Sequence, residues 1–149
     1  MSHVSLLRMR TQQAGRLSRS TVLLADDHPG FPHLVEDMLE PAFEVIGSVS
    51  NGQSLIDTAM KLQPDVIVTD ISMPILNGIE AAAQLKNSGC ASKIVFLSIH
   101  SDPDFVRACL STGALAYVIK PRMATELVHA IREALAGRTF VSPSLSRPN

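Results

Sequence analysis

Short apolar runs alternate along the chain with segments whose apolar positions recur at helical spacing. Val22–Ala25 is an unbroken apolar run that stops at two adjacent carboxylates, Asp26 and Asp27. Phe31, Leu34, Val35, Met38 and Leu39 then fall on one side of a helix over Phe31–Glu40. Phe43–Val49 reads as a second strand, and Gln53–Leu62 as a helix with Leu55, Ile56, Ala59, Met60 and Leu62 on one side. Asp65–Thr69 is the clearest strand and again ends on an aspartate, Asp70. Gly78–Lys86 is rich in residues that lose little entropy in a helix. Lys93–Leu97 is a fourth strand, and a helix capped by Ser101 or Asp102, with Pro103 at its first position, runs to about Ser111. Leu115–Ile119 is a fifth strand, followed by a helix from Thr125 that closes at Gly137.

Unbroken apolar strands alternating with helices predict an α/β protein, a doubly wound five-stranded parallel sheet covered on both faces. In such sheets function gathers beyond the carboxyl ends of the strands. The residues there are Asp26 and Asp27 after strand one, Asp70 after strand three, Ser98 after strand four and Lys120 after strand five. Ser50 and Asn51, after strand two, add no evident chemistry.

Composition narrows the class. The chain has 149 residues, 46% hydrophobic and 18% charged, with no Trp, one Tyr and five Phe. That is enough to bury a core built from aliphatic residues. The net charge of −1 hides an asymmetry, because Arg8, Arg10, Arg16 and Arg19 stand in a first stretch of 20 residues without an acid. Residues 1–20 are therefore expected to form a basic, disordered extension. Cys90 and Cys109 are too few and too far apart for a disulfide framework or a zinc site, and both are expected to be reduced thiols. No run is long enough to cross a membrane.

Capping could explain one aspartate after a strand, but not three carboxylates with a hydroxyl and an ammonium. Two like charges about 4 Å apart repel by about 4 kcal/mol at an effective dielectric near 20. Three carboxylates at one sheet edge call for a cation, and hard oxygen ligands suit Mg²⁺, with Mn²⁺ as a substitute. Asp70, alone at the end of the central strand, is the candidate nucleophile toward phosphorus. Lys120 and the Ser98 hydroxyl would neutralise or donate to phosphoryl oxygens. His28, beside the acidic pair, is expected to shape the helix entry. His100 and His129 are expected to be solvated, and Ile99 to restrict water near the phosphoryl group.

The acidic pair in LLADDHP, the segment DISMPILNG (70–78), FLSIHSD (96–102) and YVIKP (117–121) together resemble the receiver domains of two-component response regulators. The spacings agree with that family: 43 residues from Asp27 to Asp70, 28 from Asp70 to Ser98 and 22 from Ser98 to Lys120. The resemblance covers residues 21–137 and implies a flavodoxin-like (βα)5 fold with strand order 2-1-3-4-5. It implies that Asp70 is the phosphoacceptor, with Ser98 and Lys120 completing the catalytic set. Asp27 would be a direct Mg²⁺ ligand beside Asp70 and the Ser72 backbone carbonyl, and Asp26 would act through a metal-bound water. Ser98 and Tyr117 would be the switch pair, and the Lys120–Pro121 bond would be cis.

The ADDHP and LSIHSDP wording and GRTFVSP (137–143) are most similar to the NarL/FixJ branch, which joins its receiver to a helix-turn-helix domain. Residues 138–149 are then expected to be a tail or shortened linker. The implied protein is a cytoplasmic phospho-switch, not a dedicated enzyme, that takes its phosphoryl group from a histidine kinase or phosphotransfer protein. It would homodimerise on phosphorylation and meet DNA only through an output domain outside this chain. A stand-alone receiver or phosphorelay intermediate is the alternative. An aspartyl-nucleophile phosphatase would need an acid two residues after Asp70, where this chain has Ser72.

Overall fold

The computed structural model describes residues 19–146. Of the basic N-terminal stretch, Arg8, Arg10 and Arg16 lie outside the described residues, as do residues 147–149. Arg19 does not belong to a free arm: its guanidinium donates to the Glu40 and Phe43 carbonyls and stands 3.5 Å from the Glu40 carboxylate.

Five βα units follow one another: β1 (Thr21–Ala25), α1 (Phe31–Leu39), β2 (Glu44–Val49), α2 (Gly52–Leu62), β3 (Val66–Thr69), α3 (Gly78–Asn87), β4 (Lys93–Ser98), α4 (Pro103–Ser111), β5 (Ala116–Ile119) and α5 (Met123–Leu135). A single 3-10 turn, Lys120–Arg122, joins β5 to α5. All strand pairs are parallel and the order is β2-β1-β3-β4-β5, extended by a sixth strand.

Strand residues alternate between two cores. Val22, Leu24, Val66, Val68, Val95, Leu97, Ala116 and Val118 pack with Val35 and Leu39 of α1 and Leu127 and Ile131 of α5. Leu23, Ile67, Phe96 and Tyr117 face the other way, against Leu55 of α2, Leu85 of α3 and Cys109 of α4. Each fully buried Val, Leu, Ile or Phe among them contributes about 1.5–3 kcal/mol. With both faces covered, the polar ends of the strands are the places left for chemistry.

Local signals set the helix starts. Asn51 caps α2 by accepting the Ser54 amide at 2.8 Å, a role its place after strand two did not reveal. Asn77 and Glu80 form a reciprocal capping box at α3. Asp102, with Pro103 behind it, caps α4.

Two sequence expectations need correction. The stretch after Gly137 is not a plain tail, since β6 (Phe140–Val141) pairs with β5 and α6 (Pro143–Ser146) follows. The expected five-stranded core in the order 2-1-3-4-5 is present, and β6 adds a sixth parallel strand beside β5. Among the described residues no peptide bond is cis, so Lys120–Pro121 is trans. Pro121 sits in the 3-10 turn that leads straight into α5, where the fixed φ of proline suits helical backbone. Among these residues no helix is long and apolar enough to cross a membrane.

Candidate functional site

The acidic residues meet where β1 and β3, adjacent in the sheet, end side by side. The Asp70 amide donates to the Ala25 carbonyl at 2.9 Å, and the Asp26 amide to the Val49 carbonyl at 3.0 Å. These bonds extend the sheet by one residue and leave both side chains at its carboxyl edge. Asp26 and Asp70 are buried, at 6% and 4% exposure. Lys120, from the far end of β5, reaches back with its ammonium 2.8 Å from Asp26 Oδ2 and 3.1 Å from Asp70 Oδ2. The same ammonium lies 4.1 Å from the centre of the Phe31 ring, so the first residue of α1 helps to hold it.

The two buried carboxyls diverge. Burial pulls Asp26 upward, but Lys120 and the hydrogen bonds from the His28 amide and ring outweigh it and hold the carboxyl below its ordinary value. Asp70 is raised by burial, which Lys120 and the Ile71 amide offset only in part, and Asp26 adds to the rise. Its Oδ1 accepts the Ile71 amide at 2.7 Å, which fixes the carboxylate plane. Asp70 thus presents an anchored carboxylate with an ammonium at its side.

His28, expected to shape the helix entry, accepts the Phe31 amide through its carbonyl at 3.2 Å and also lies in this group. Its Nδ1 lies 2.6 Å from Asp26, 3.6 Å from Asp27 and 3.7 Å from Asp70. Gly30, at φ +80°, turns the chain immediately afterwards, and the His28 amide also donates to Asp26. Periodicity carries no sign of such a reversal, so only the adjacency to two acids could have signalled it. Asp27 is exposed at the rim. Ligand atoms of Asp26, Asp27, His28 and Asp70 all lie within 4.8 Å of one another. Three carboxylates this close fit a hard divalent cation such as Mg²⁺.

The loop behind Asp70 is tightly wedged. The Gly78 amide donates to the Ile71 carbonyl at 2.7 Å, and a Cβ on Gly78 would lie 1.9 Å from the Asp70 carbonyl oxygen. Between them, Ile75 adopts φ +70° with its side chain 79% exposed. That is a costly conformation for a β-branched residue.

Ser98 is fully buried one strand over, and its hydroxyl oxygen accepts the His100 amide at 3.1 Å. Tyr117 is buried with its ring in the second core, and its hydroxyl donates to the His100 carbonyl at 2.6 Å. Burial pushes the Tyr117 phenol up to about 12. His100 is half-buried, stacked on Phe105 at 4.3 Å, with Nε2 3.3 Å from the Ser72 hydroxyl. It therefore links the β3–α3 and β4–α4 loops. Thus Asp26, Asp70 and Lys120 are in direct contact, Asp27 joins through His28, and Ser98 and Tyr117 form a neighbouring group centred on His100.

Comparison with known proteins matches residues 22–132 to the response regulator receiver domain. The chain belongs to that family. It is 35% identical over 127 residues to the transcriptional regulatory protein DegU of Brevibacillus brevis, covering 84% of this chain and 54% of that protein. It is 33% identical over 129 residues to the nitrate/nitrite response regulator NarL of Escherichia coli K12, covering 85% of this chain and 60% of NarL. The receiver therefore spans little more than half the length of these relatives. Among solved structures, a LuxR-family two-component response regulator from Aurantimonas superimposes with a TM-score of 0.82 at 29% identity, over 87% of this chain and 94% of that one. The likeness of this receiver to the NarL/LuxR-type branch agrees with its sequence motifs.

Proposed function

We propose that the receiver is a phosphorylation-activated switch that takes a phosphoryl group onto Asp70 from a phosphohistidine of a sensor kinase or phosphotransfer protein. The observation that carries this is the Asp70 carboxylate itself: buried, aligned by the Ile71 amide, raised by burial and paired with Lys120. One Asp70 oxygen attacks phosphorus as the P–N bond to the donor imidazole breaks. The bonding pair leaves with the imidazole nitrogen, and an acyl phosphate remains. Lys120 follows the developing charge on the phosphoryl oxygens while keeping its bond to Asp26. The Ser98 hydroxyl, by exchanging the His100 amide for a phosphoryl oxygen, would carry the change to His100 and Tyr117. Asp26, Asp27, Asp70 and the Ser72 carbonyl would hold Mg²⁺ or Mn²⁺, which supplies positive charge for the transferring group.

The receiver would promote its own phosphorylation and hydrolysis and turn over no separate substrate. Its readout would run through the face of α4, β5 and α5, by homodimerisation, to a DNA-binding output domain. The transcription-regulator names of the relatives, of which this chain spans about half, support that reading. Cytoplasmic location follows from the same analogy.

The test is acetyl phosphate with Mg²⁺, followed by intact mass and gel filtration of wild type and Asp70→Asn. One acid-labile phosphoryl adduct on wild type alone is expected. Equal labelling of the variant, or none on either, would refute the proposal.

A further inference from the structure

We propose that residues 140–146 form a clamp on the phosphorylation site, with Ser142 a positioning residue for Lys120. Docking of this segment and acyl-phosphate formation at Asp70 then favour one another. The inference rests on the function proposed above and adds a regulatory element to it.

After Gly137 the chain runs back alongside the edge strand β5. The Phe140 amide donates to the Leu115 carbonyl and the Ser142 amide to the Tyr117 carbonyl, both at 2.9 Å. Phe140 packs on the core of the α5 face, with its ring edge-on to His129 at 5.2 Å. Leu145 packs against the opposite core, the one holding Tyr117 and Cys109. The segment therefore hooks around the sheet edge from one face to the other, and Ser142, fully buried, is the residue at the crossing.

The Ser142 hydroxyl has two buried partners. Its oxygen accepts the Ile119 amide at 3.0 Å, and its proton goes to Glu126 Oε1 of α5 at 2.5 Å. Glu126 is itself buried, with Arg122 3.4 Å from its other oxygen. Ser142 thus ties together the last residues of β5 and the first turns of α5. Lys120 lies between those two anchored points, one residue beyond Ile119.

Its ammonium must stay within hydrogen-bonding reach of Asp70 at the end of a long side chain. Fixing the backbone on both sides of Lys120 therefore pre-organises the charge that the phosphoryl group needs. Linkage makes the coupling reciprocal: a ligand on Asp70 that draws Lys120 into place must tighten the clamp by the same factor.

The experiment uses beryllofluoride with Mg²⁺ as the phosphoryl mimic on the full chain. Ser142→Ala is expected to weaken beryllofluoride binding about 5- to 20-fold, because it strands two buried partners. Ser142→Thr, which keeps the hydroxyl, is expected to stay within about threefold of wild type on the same reasoning. In wild type, with no substitution to disturb folding, beryllofluoride is expected to slow hydrogen exchange at the Ser142 and Phe140 amides. The Glu44 amide at the opposite sheet edge should be unchanged. Equal affinity of Ser142→Ala and wild type, or Ser142 exchange that is unchanged or faster, would overturn the clamp and leave the phospho-switch intact. Failure of wild type to bind beryllofluoride at all would overturn the phospho-switch, and the clamp with it.

Discussion

Replacing Lys120 by methionine removes one ammonium from two buried carboxylates and leaves a side chain of similar length. At 2.8 and 3.1 Å the two attractions amount to about 6 and 5 kcal/mol at an effective dielectric near 20. The cost of desolvating the lysine, absent in the variant, offsets much of this. What remains is the penalty of two buried charges without their cation, about 3–5 kcal/mol when such a pair is broken. Screening does not reduce it greatly, because Lys120, Asp26 and Asp70 are only 11%, 6% and 4% exposed. In urea unfolding at neutral pH with chelator present, a slope of about 2 kcal/mol per molar gives a midpoint about 2 M lower than wild type. Mg²⁺ should recover part of the loss. The pH dependence has a definite sign. Without Lys120 both carboxyls lose a group that holds them down, so the folded variant takes up protons at higher pH than folded wild type. The deficit should therefore shrink as pH falls from about 7 toward about 4. A loss below about 1 kcal/mol, or one independent of pH, would refute the account of a lysine balancing two buried acids.

Gly78→Ala should cost more than about 3 kcal/mol, or abolish folding, because the new methyl would meet the Asp70 carbonyl and not a yielding side chain. Thermal denaturation by circular dichroism measures it, and an unchanged melting temperature would contradict the wedge. Ile75→Asn should act in the opposite direction. Asparagine tolerates the left-handed backbone better than a β-branched residue, so a gain of about 0.5–1 kcal/mol is expected in urea titration. A loss of stability would show that the exposed isoleucine has contacts or restraints outweighing its strain.

The main architecture was legible because the buried strands β1, β3, β4 and β5 leave unbroken apolar runs, and each of those four runs is followed by a residue of the candidate site. Asp26, Asp27, Asp70, Ser98 and Lys120 could be read together for that reason. β6 was not legible, since two residues, Phe140 and Val141, are too few to show a period. A partial signal existed in Ser142–Pro143, a pair typical of a helix start, but it also fits a linker. The buried hydroxyl of Ser142 depends on Glu126 and Ile119, 16 and 23 residues away, and no local pattern encodes such a meeting. His28 differs, because its partners Asp26 and Asp27 are sequence neighbours, and the preference of Mg²⁺ for oxygen ligands turned the reading toward a helix-entry role. The trans Lys120–Pro121 bond departs from an expectation borrowed from relatives, where the local 3-10 turn into α5 decides.

The two-residue strand β6 also bears on how the protein behaves in a crowded solution. A parallel sheet has two open borders, each a row of backbone donors and acceptors on which another extended chain can grow. Along β5 that row is taken by the chain's own Phe140–Ser142, and the new border is only two residues long. At the other border β2 carries Glu44 and a glycine at Gly47, poor material for an added strand. Loosening the end of the chain would thus uncover a template for self-association, so the same hook that steadies Lys120 also guards solubility.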